Sequence, residues 1–246
     1  MANWNDPRPS QTGFGASPSL DVTRSRAAYD QGQRRYMLSI YNYMASGVLL
    51  SGIVALLFAS SGAAQAVFAT PLRWVIALAP LGFVFAMSFG FNRMRTSTLQ
   101  TLFWAFSIAM GLSLSSIFFV YTGPSIASTF FATAGAFAGL SLFGYTTKKD
   151  LSGVGSFLIM GVWGILIAMV INMIWPSTAL GLAISILGVV IFAGLTAYDT
   201  QRLKDMYSQV AGTDFVGKTV IMGALNLYLD FINMFQFLLS LLGDRR

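Results

Sequence analysis

The sequence predicts an all-α, multi-pass membrane protein with seven transmembrane helices. Only 10% of the 246 residues are charged and 55% are hydrophobic, and the mean hydropathy is +0.67. A soluble domain carries about 25% charged residues. The few charges of this chain also stand in short clusters between long uncharged runs. Most of its surface is therefore expected to face lipid rather than water.

The uncharged runs define the predicted spans, because a membrane helix needs about 20 mostly apolar residues. Two of the runs are long enough for two helices each. One folds at "YTGPS", where Gly123 and Pro124 break the run, and the other folds at "WPST" around Pro176. The predicted spans are residues 38–60, 74–92, two within 96–147, two within 151–198, and 219–243.

The chain is predicted to divide into a disordered tail, residues 1–35, and a transmembrane domain, residues 36–246. The tail is polar and rich in Pro, Ser and Gly, a composition typical of disorder. It has no apolar core of 7–15 residues, so it is not expected to be a cleavable signal peptide.

Lys and Arg predict the orientation, because cytoplasmic loops of membrane proteins are enriched in them. Alternate loops collect eleven of these residues on one side and three on the other, which puts the N-terminal tail in the cytoplasm. Seven crossings would then export Arg245 and Arg246, and a re-entrant last segment is the alternative. The net charge of +6 follows from this topology and does not indicate nucleic-acid binding. The eleven are Arg24, Arg26, Arg34, Arg35, Arg93, Arg95, Lys148, Lys149, Arg202, Lys204 and Lys218; Arg73, Arg245 and Arg246 lie on the other side.

The residue types that are missing limit the possible chemistry. The chain has no Cys and no His, and all nine of its acidic residues are Asp. Disulfides, thiolate or imidazole metal sites and histidine bases are thereby excluded. No bound cofactor is predicted. Aspartates are therefore the side chains expected to bind protons near neutral pH and to bind hard cations.

Asp230 lies inside the last apolar run, about twelve residues and ~18 Å of helix beyond Lys218. An aspartate at that depth costs on the order of 2.5–3.5 kcal/mol, and such residues usually face the interior of a helix bundle. Other polar residues share its helix face and predict an inner helix that lines a polar path. A stripe that only joins helices by hydrogen bonds is the alternative. The stripe contains Asn226, Asp230, Asn233 and Ser240, with Gln236 close by.

Asp199 is predicted at the cytoplasmic end of the sixth helix, where charges resume. Taken alone, Asp199 is interpreted as a solvated residue at a helix end. If it lies beside Asp230, however, the two carboxyl groups could act together. Two carboxylates about 4 Å apart repel by ~4 kcal/mol at an effective dielectric constant of 20. One of them would then keep a proton toward neutral pH, which is a proton sensor that needs no histidine.

These two segments resemble the Bax-inhibitor family, the transmembrane Bax inhibitor motif proteins with their bacterial YccA-like members. The similarity is specific in "AYDTQRLK" and "ALNLYLDFINMF" and diffuse over the rest of residues 36–243. It implies seven helices with the last one central, in a bacterial inner membrane. It also implies a pH-sensitive calcium leak gated by a pair of aspartates, which match Asp199 and Asp230.

The resemblance further implies an arginine at the end of the second helix that engages the aspartate pair. Arg93 matches it best, because of its interval to the "GLSL" of the third span, and Arg95 is the neighbouring alternative. Some relatives carry an acid in the second span or a base in the last helix, and this chain has neither. We expect calcium to bind Asp199 and Asp230 weakly and transiently, with water, Asn226 and backbone carbonyls completing its shell.

Two other classes of function are compatible with parts of this pattern. "AYD" at 197–199 resembles the first motif of intramembrane aspartyl proteases. Their second motif, Gly-x-Gly-Asp, is absent, since "LYL" precedes Asp230, and we predict a protein that is not an enzyme. A non-transporting regulator that binds a membrane protease or another membrane partner is the stronger alternative.

Overall fold

The structure, a computed structural model, describes the backbone of residues 18–246 and the side chains of residues 27–246. In this part of the chain the regular structure is helical, apart from one isolated bridge between Tyr121 and Arg245. The helices are α1 Pro18–Ser60, α2 Ala63–Phe68, α3 Leu72–Gly90, α4 Thr96–Leu114, α5 Ile117–Val120, α6 Gly123–Thr146, α7 Ser152–Ile174, α8 Thr178–Val210 and α9 Phe215–Leu242.

Seven segments of the described chain are long and apolar enough to cross a membrane, as predicted. They are α3, α6, α7, α8, α9, the part of α1 from Ala27, and α4 together with α5. Both predicted turns are present: Gly123 and Pro124 begin α6, and Pro176 lies between α7 and α8. The protein is therefore an all-α, multi-pass membrane protein.

The last helix is the central one. Half of the most apolar window of α9 is buried, against 11–28% for the other six spans. It packs against α1, α4, α6 and α8. Lipid does not solvate a polar stripe such as the one on α9, so the helix that carries this stripe is enclosed by its neighbours.

The two ends of the bundle differ in charge. The end formed by the loops 91–95, 147–151 and 211–214 holds most of the Lys and Arg residues and is called the basic end below. The loops 61–71, 121–122 and 175–177 form the opposite end.

The last helix crosses the bundle completely. It is continuous for 28 residues, and the chain that follows it pairs with the loop 121–122 at the opposite end. There the amide of Thr122 donates to the carbonyl of Asp244 at 3.0 Å, and the amide of Arg246 donates to that of Val120 at 3.0 Å. The re-entrant alternative is therefore wrong.

Helix α1 starts earlier than the sequence predicted. It begins at Pro18, so residues 18–35 are helical, which corrects the prediction of disorder for this stretch. Residues 1–17 lie outside the described residues. The extension packs on the end of α8, where Tyr207 lies between Tyr29 and Tyr36 with ring centroids 5.2 and 5.3 Å away. These aromatic contacts supply the apolar burial that the polar composition did not suggest.

Helix α8 ends later than predicted, which corrects the position of Asp199. The sixth span runs on to Val210, and Asp199 lies inside it, half-buried, rather than at its end. Charges resume after Asp199 because the helix leaves the apolar layer, while the backbone stays helical. Leu203 is 3% exposed and anchors the extension, and Lys204 Nζ donates to the carbonyl of Tyr145 at 2.8 Å.

The loop 147–151 is fixed to the same extension of α8. Gln201 accepts from the amide of Leu151 at 2.9 Å and donates to the carbonyl of Lys149 at 2.8 Å. At the adjoining start of α7, side-chain and backbone hydrogen bonds from Ser152 lower the pKa of Asp150. Asp150 therefore stays ionised at neutral pH beside the lysines of the basic end.

A buried hydrogen-bond network joins the first, third and last spans. Ser51 Oγ lies 2.6 Å from the hydroxyl of Tyr228, 2.7 Å from the carbonyl of Ser107 and 3.0 Å from that of Gly47. Ser51, Ser107 and Tyr228 are fully buried. Since Tyr228 is two residues from Asp230, this network fixes the rotation of α9 next to the carboxyl group.

Close approach of α6 to α8 depends on Gly144. A Cβ atom at this position would overlap the backbone carbonyl of Ala197, two residues before Asp199. We expect Gly144→Ala to lower the stability by about 1–3 kcal/mol through overpacking. Gly139→Ala is the matched control, because a Cβ there meets nothing within 4 Å. Thermal unfolding in detergent measures both, and equal melting temperatures would contradict the packing described here.

The Ser51 network predicts an asymmetry between two deletions. Tyr228→Phe leaves Ser51 bonded to two carbonyls and should cost about 0.5–1.5 kcal/mol. Ser51→Ala leaves a buried tyrosine hydroxyl without its partner, and should cost about 1–3 kcal/mol. The same thermal unfolding assay measures this difference, and a larger loss for Tyr228→Phe would overturn the assignment.

Candidate functional site

The structure brings Asp199 and Asp230 together. Helices α8 and α9 pack side by side along the bundle, and the two carboxyl groups lie within hydrogen-bonding reach of each other. Asp230 is 4% exposed, about 22 Å along α9 from Phe215. Two carboxyl groups can face each other at this range only if they share a proton or a cation lies close.

One oxygen of the pair has no partner among the described residues. Oδ2 of Asp230 is buried and makes no hydrogen bond. A buried polar atom without a partner is costly, by about 1–3 kcal/mol or more when it is charged. The oxygen is therefore a position where a proton, a water molecule or a cation would lower the free energy of the site.

Hydrogen bonds and small residues hold Asp199 in place on α8. The next residue, Thr200, accepts from the Tyr41 hydroxyl at 3.5 Å and donates to Ser141 Oγ at 3.4 Å, linking α8 to α1 and α6. The preceding residue, Tyr198, packs over Gly155 of α7, where a Cβ atom would overlap its ring. Asp199 is thus fixed from both sides of the helix.

The cation beside Asp199 is Arg202, one helical turn further along α8. Its spacing places it on the same helix face as Asp199, and its side chain is exposed at the basic end. Together with Tyr198, Gln201 and Asp205 it lines a cavity of about 330 Å³. The i,i+3 spacing of Asp199 and Arg202 was visible in the sequence, but the predicted helix end at Asp199 concealed it.

Arg93, the arginine predicted to engage the pair, belongs to the basic end. It is exposed in the loop 91–95, and this loop contacts α9 at its start, where Lys218 Nζ donates to the carbonyl of Phe91 at 3.4 Å. Lys218 is twelve residues, or about 18 Å of helix, before Asp230. The alternative residue, Arg95, is exposed in the same loop.

The predicted polar path follows α9 on both sides of Asp230. Asn226 and Asn233 are half-buried, one turn before and one turn after the aspartate. Asn233 Nδ2 donates to the carbonyl of Leu229 at 2.8 Å, so its carbonyl oxygen is the group left for other partners. Gln236 and Ser240 are exposed, and the stripe therefore leaves the interior toward the opposite end.

Few other groups could hold a metal. The described residues contain no cluster of three or more acidic side chains. The Asp199–Asp230 pair offers at most four carboxylate oxygens, and Ca²⁺ takes 6–8 oxygen ligands. Water and neighbouring carbonyl oxygens would have to supply the rest.

Comparison with known proteins agrees with this architecture. Residues 33–246 match the family model described as "Inhibitor of apoptosis-promoting Bax1". The inner membrane protein YbhL of Escherichia coli strain K12 is 45% identical over 87% of this chain and 94% of its own length. Uncharacterised proteins of Rickettsia prowazekii and Caulobacter vibrioides are each 45% identical, covering 93% and 94% of this chain and 97% of their own lengths. The chain belongs to the Bax-inhibitor family.

Proposed function

We propose that this protein is a proton-controlled leak for cations, calcium among them, gated by Asp199 and Asp230. The observation that carries the proposal is a buried carboxyl group on the central helix, facing a second carboxyl group on the adjacent helix. A buried acid in contact with a second acid is costly in a lipid-embedded bundle, because apolar side chains would pack there at lower cost, and this cost supports a function for the pair.

Protonation supplies the switch. With one proton shared, the two carboxyl groups hydrogen-bond to each other and hold α8 against α9. With both ionised, their repulsion, on the order of 4 kcal/mol at 4 Å, favours separation of the two helices or entry of a cation between them. The charge state of one pair thus changes the packing of the central helix.

Protons and ions are proposed to reach the aspartate pair from the basic end. Asp199 is half-buried and Asp230 buried, while Arg202, one turn away, is exposed beside a cavity of about 330 Å³. Protons and ions would reach Asp199 first and Asp230 second. Asn226 and Asn233 would provide oxygen atoms along α9 in both directions.

We also propose that the basic end faces the cytoplasm and that the membrane is a bacterial inner membrane. The excess of Lys and Arg at one end supports this orientation. The Escherichia coli relative is an inner membrane protein, which supports the location.

Changing either aspartate should remove the pH response. Asp199→Asn and Asp230→Asn each leave a single carboxyl group, so we expect the pH dependence of calcium flux into proteoliposomes to flatten, whatever its sign. Asp214→Asn is the matched control, because Asp214 is an exposed acid at the same end of the bundle and lies outside the lining of the cavity beside Arg202. If the two Asn variants titrate like the parent protein, the pair only joins helices and a non-transporting regulator becomes the better explanation.

Replacing an arginine should shift the pH response of the calcium flux rather than remove it. Arg202 stabilises the ionised pair, so Arg202→Gln should raise the midpoint of the flux titration by about half a pH unit, the value for charges ~6 Å apart in water. Arg93→Gln should shift it upward only if the loop 91–95 approaches the pair in another conformation. The two variants measured side by side decide which arginine engages the aspartates, and no shift from either would remove arginine from the gate.

Calcium should bind weakly. A site with two carboxylates falls short of the 6–8 ligands of a tight calcium site, and a leak requires an ion that leaves again. We expect a dissociation constant weaker than about 10⁻⁴ M by titration calorimetry of the purified protein, and Asp230→Asn should abolish the binding. Sub-micromolar affinity would contradict a leak and indicate a storage or regulatory site.

A further inference from the structure

A second cavity is a groove at the opposite end, away from the aspartate pair. It has a volume of about 800 Å³ and lies between α7, α8 and α9, and it is called the α7–α9 groove below. Both α7 and α9 pack on α8, which forms its floor. Several of its lining side chains, such as Met173 at 71% exposure, face the outside of the bundle, so the groove opens toward lipid.

The walls of the groove differ in polarity. The α7 wall is mainly apolar, with Leu166, Met169 and Met173, and carries one amide side chain, Asn172. The α9 wall carries Gln236 and Ser240, which are exposed although hydrocarbon satisfies no hydrogen bond. Ser240 accepts a hydrogen bond from Ser185 at 2.9 Å, while Gln236 makes no hydrogen bond with the described residues. An apolar wall facing a polar wall fits an amphipathic molecule.

The mouth of the groove is positively charged. Arg245 is the charged residue among its lining side chains, and its backbone is held by the pairing of residues 244–246 with residues 120–122. A guanidinium group binds phosphate oxygens through two parallel hydrogen bonds. The positive charge at this mouth therefore favours an anionic group as the occupant.

The depth of the groove matches one leaflet of a bilayer. Its lining on α7 reaches from the end of the helix back to Val162, twelve residues before Ile174, or about 18 Å. Half of a bilayer that is ~40–45 Å thick with its headgroups measures about 20–22 Å. A chain lying along α7 would therefore end near the middle of the membrane.

From these features we infer that the α7–α9 groove binds a glycerophospholipid of the surrounding leaflet. Arg245 holds the phosphate, Gln236 and Ser240 face the glycerol and ester oxygens, and one acyl chain lies against Met169 and Leu166. The inference goes beyond the proposed leak and does not depend on it.

A phospholipid with a photoreactive diazirine on its acyl chain tests the site. The full chain is reconstituted with this lipid and irradiated. Peptides containing Met169 and Met173 should be labelled at least about fivefold more than the exposed α3 face at Val75 and Leu78. This ratio is expected because one basic residue adds ~1 kcal/mol to the binding of an anionic lipid. A diacylglycerol with the same diazirine and no phosphate should label both faces equally. Equal labelling by the phospholipid would overturn the inference.

Two pairs of variants make the test specific. Arg245→Gln should reduce labelling of the groove about fivefold, while Arg246→Gln, which removes a charge outside the lining, should leave it unchanged. Gly181→Leu should fill the groove and lower labelling to the α3 level, because a Cβ there meets only Asn172 Nδ2, at 3.7 Å. Gly164→Leu on α7 is its control, since a Cβ at Gly164 meets nothing within 4 Å. Normal labelling in Gly181→Leu would overturn the site.

A second copy of the chain is the competing occupant. Because the chain has no cysteine, Met173→Cys provides a single reporter at the edge of the groove. Efficient formation of disulfide-linked dimers in membranes, together with weak lipid labelling, would show that the groove is a protein interface and would overturn the lipid site. Monomers with strong labelling support the lipid.

Discussion

The enclosure of Asp230 is the constraint on which the rest of the structure depends. A carboxyl group at this depth cannot face acyl chains without a cost of several kcal/mol, so the helix that carries it must be surrounded. Helix α9 accordingly has α1, α4, α6 and α8 around it, and its polar stripe needs no lipid contact near Asp230. The outer helices meet lipid instead and expose large apolar side chains such as Trp74 and Phe157. The arrangement is therefore the reverse of a soluble helix bundle, because the helix with the polar stripe lies in the centre and apolar side chains face outward.

Small residues allow the enclosing helices to come close enough for the two carboxyl groups to meet. Gly188 of α8 lies against the ring of Phe237, and Gly223 of α9 lies against Leu203 of α8, each with less than 3.0 Å for an added Cβ atom. On the other side of α8, Gly144 lies against the backbone of Ala197. Without apolar driving force between helices in lipid, such close packing supplies much of the association energy. The position of Asp199 beside Asp230 is a result of these contacts.

The membrane made the spans predictable and left the ends of the helices unpredictable. Every span has to be apolar for about 20 residues, so uncharged runs locate all seven. The end of the apolar layer is not the end of a helix, which is why α8 passes Asp199 and continues to Val210 and why α1 begins before residue 36. The pairing of Asp199 with Asp230 was expected from family resemblance. Arg202 lies at an i,i+3 spacing from Asp199 that the sequence contains, but the helix end predicted at Asp199 concealed it. The α7–α9 groove depends on how three helices pack against one another, and no local sequence pattern encodes that.

The central helix links the two sites in a single rigid element. Asp230 faces Asp199 toward the basic end, while Asn233, one turn later, already lines the α7–α9 groove. Since a helix turns as one body, any rotation of α9 that separates Asp230 from Asp199 also turns Asn233 and Gln236 within the groove. The hydrogen bond of Tyr228 to Ser51 resists that rotation, and the pairing of residues 244–246 with residues 120–122 holds the far end of the helix. Separation of the pair would therefore require either bending α9 between these two anchors or shifting α8 away from it. A shift of α8 would also disturb the contacts of its extension with α1 and with the loop 147–151.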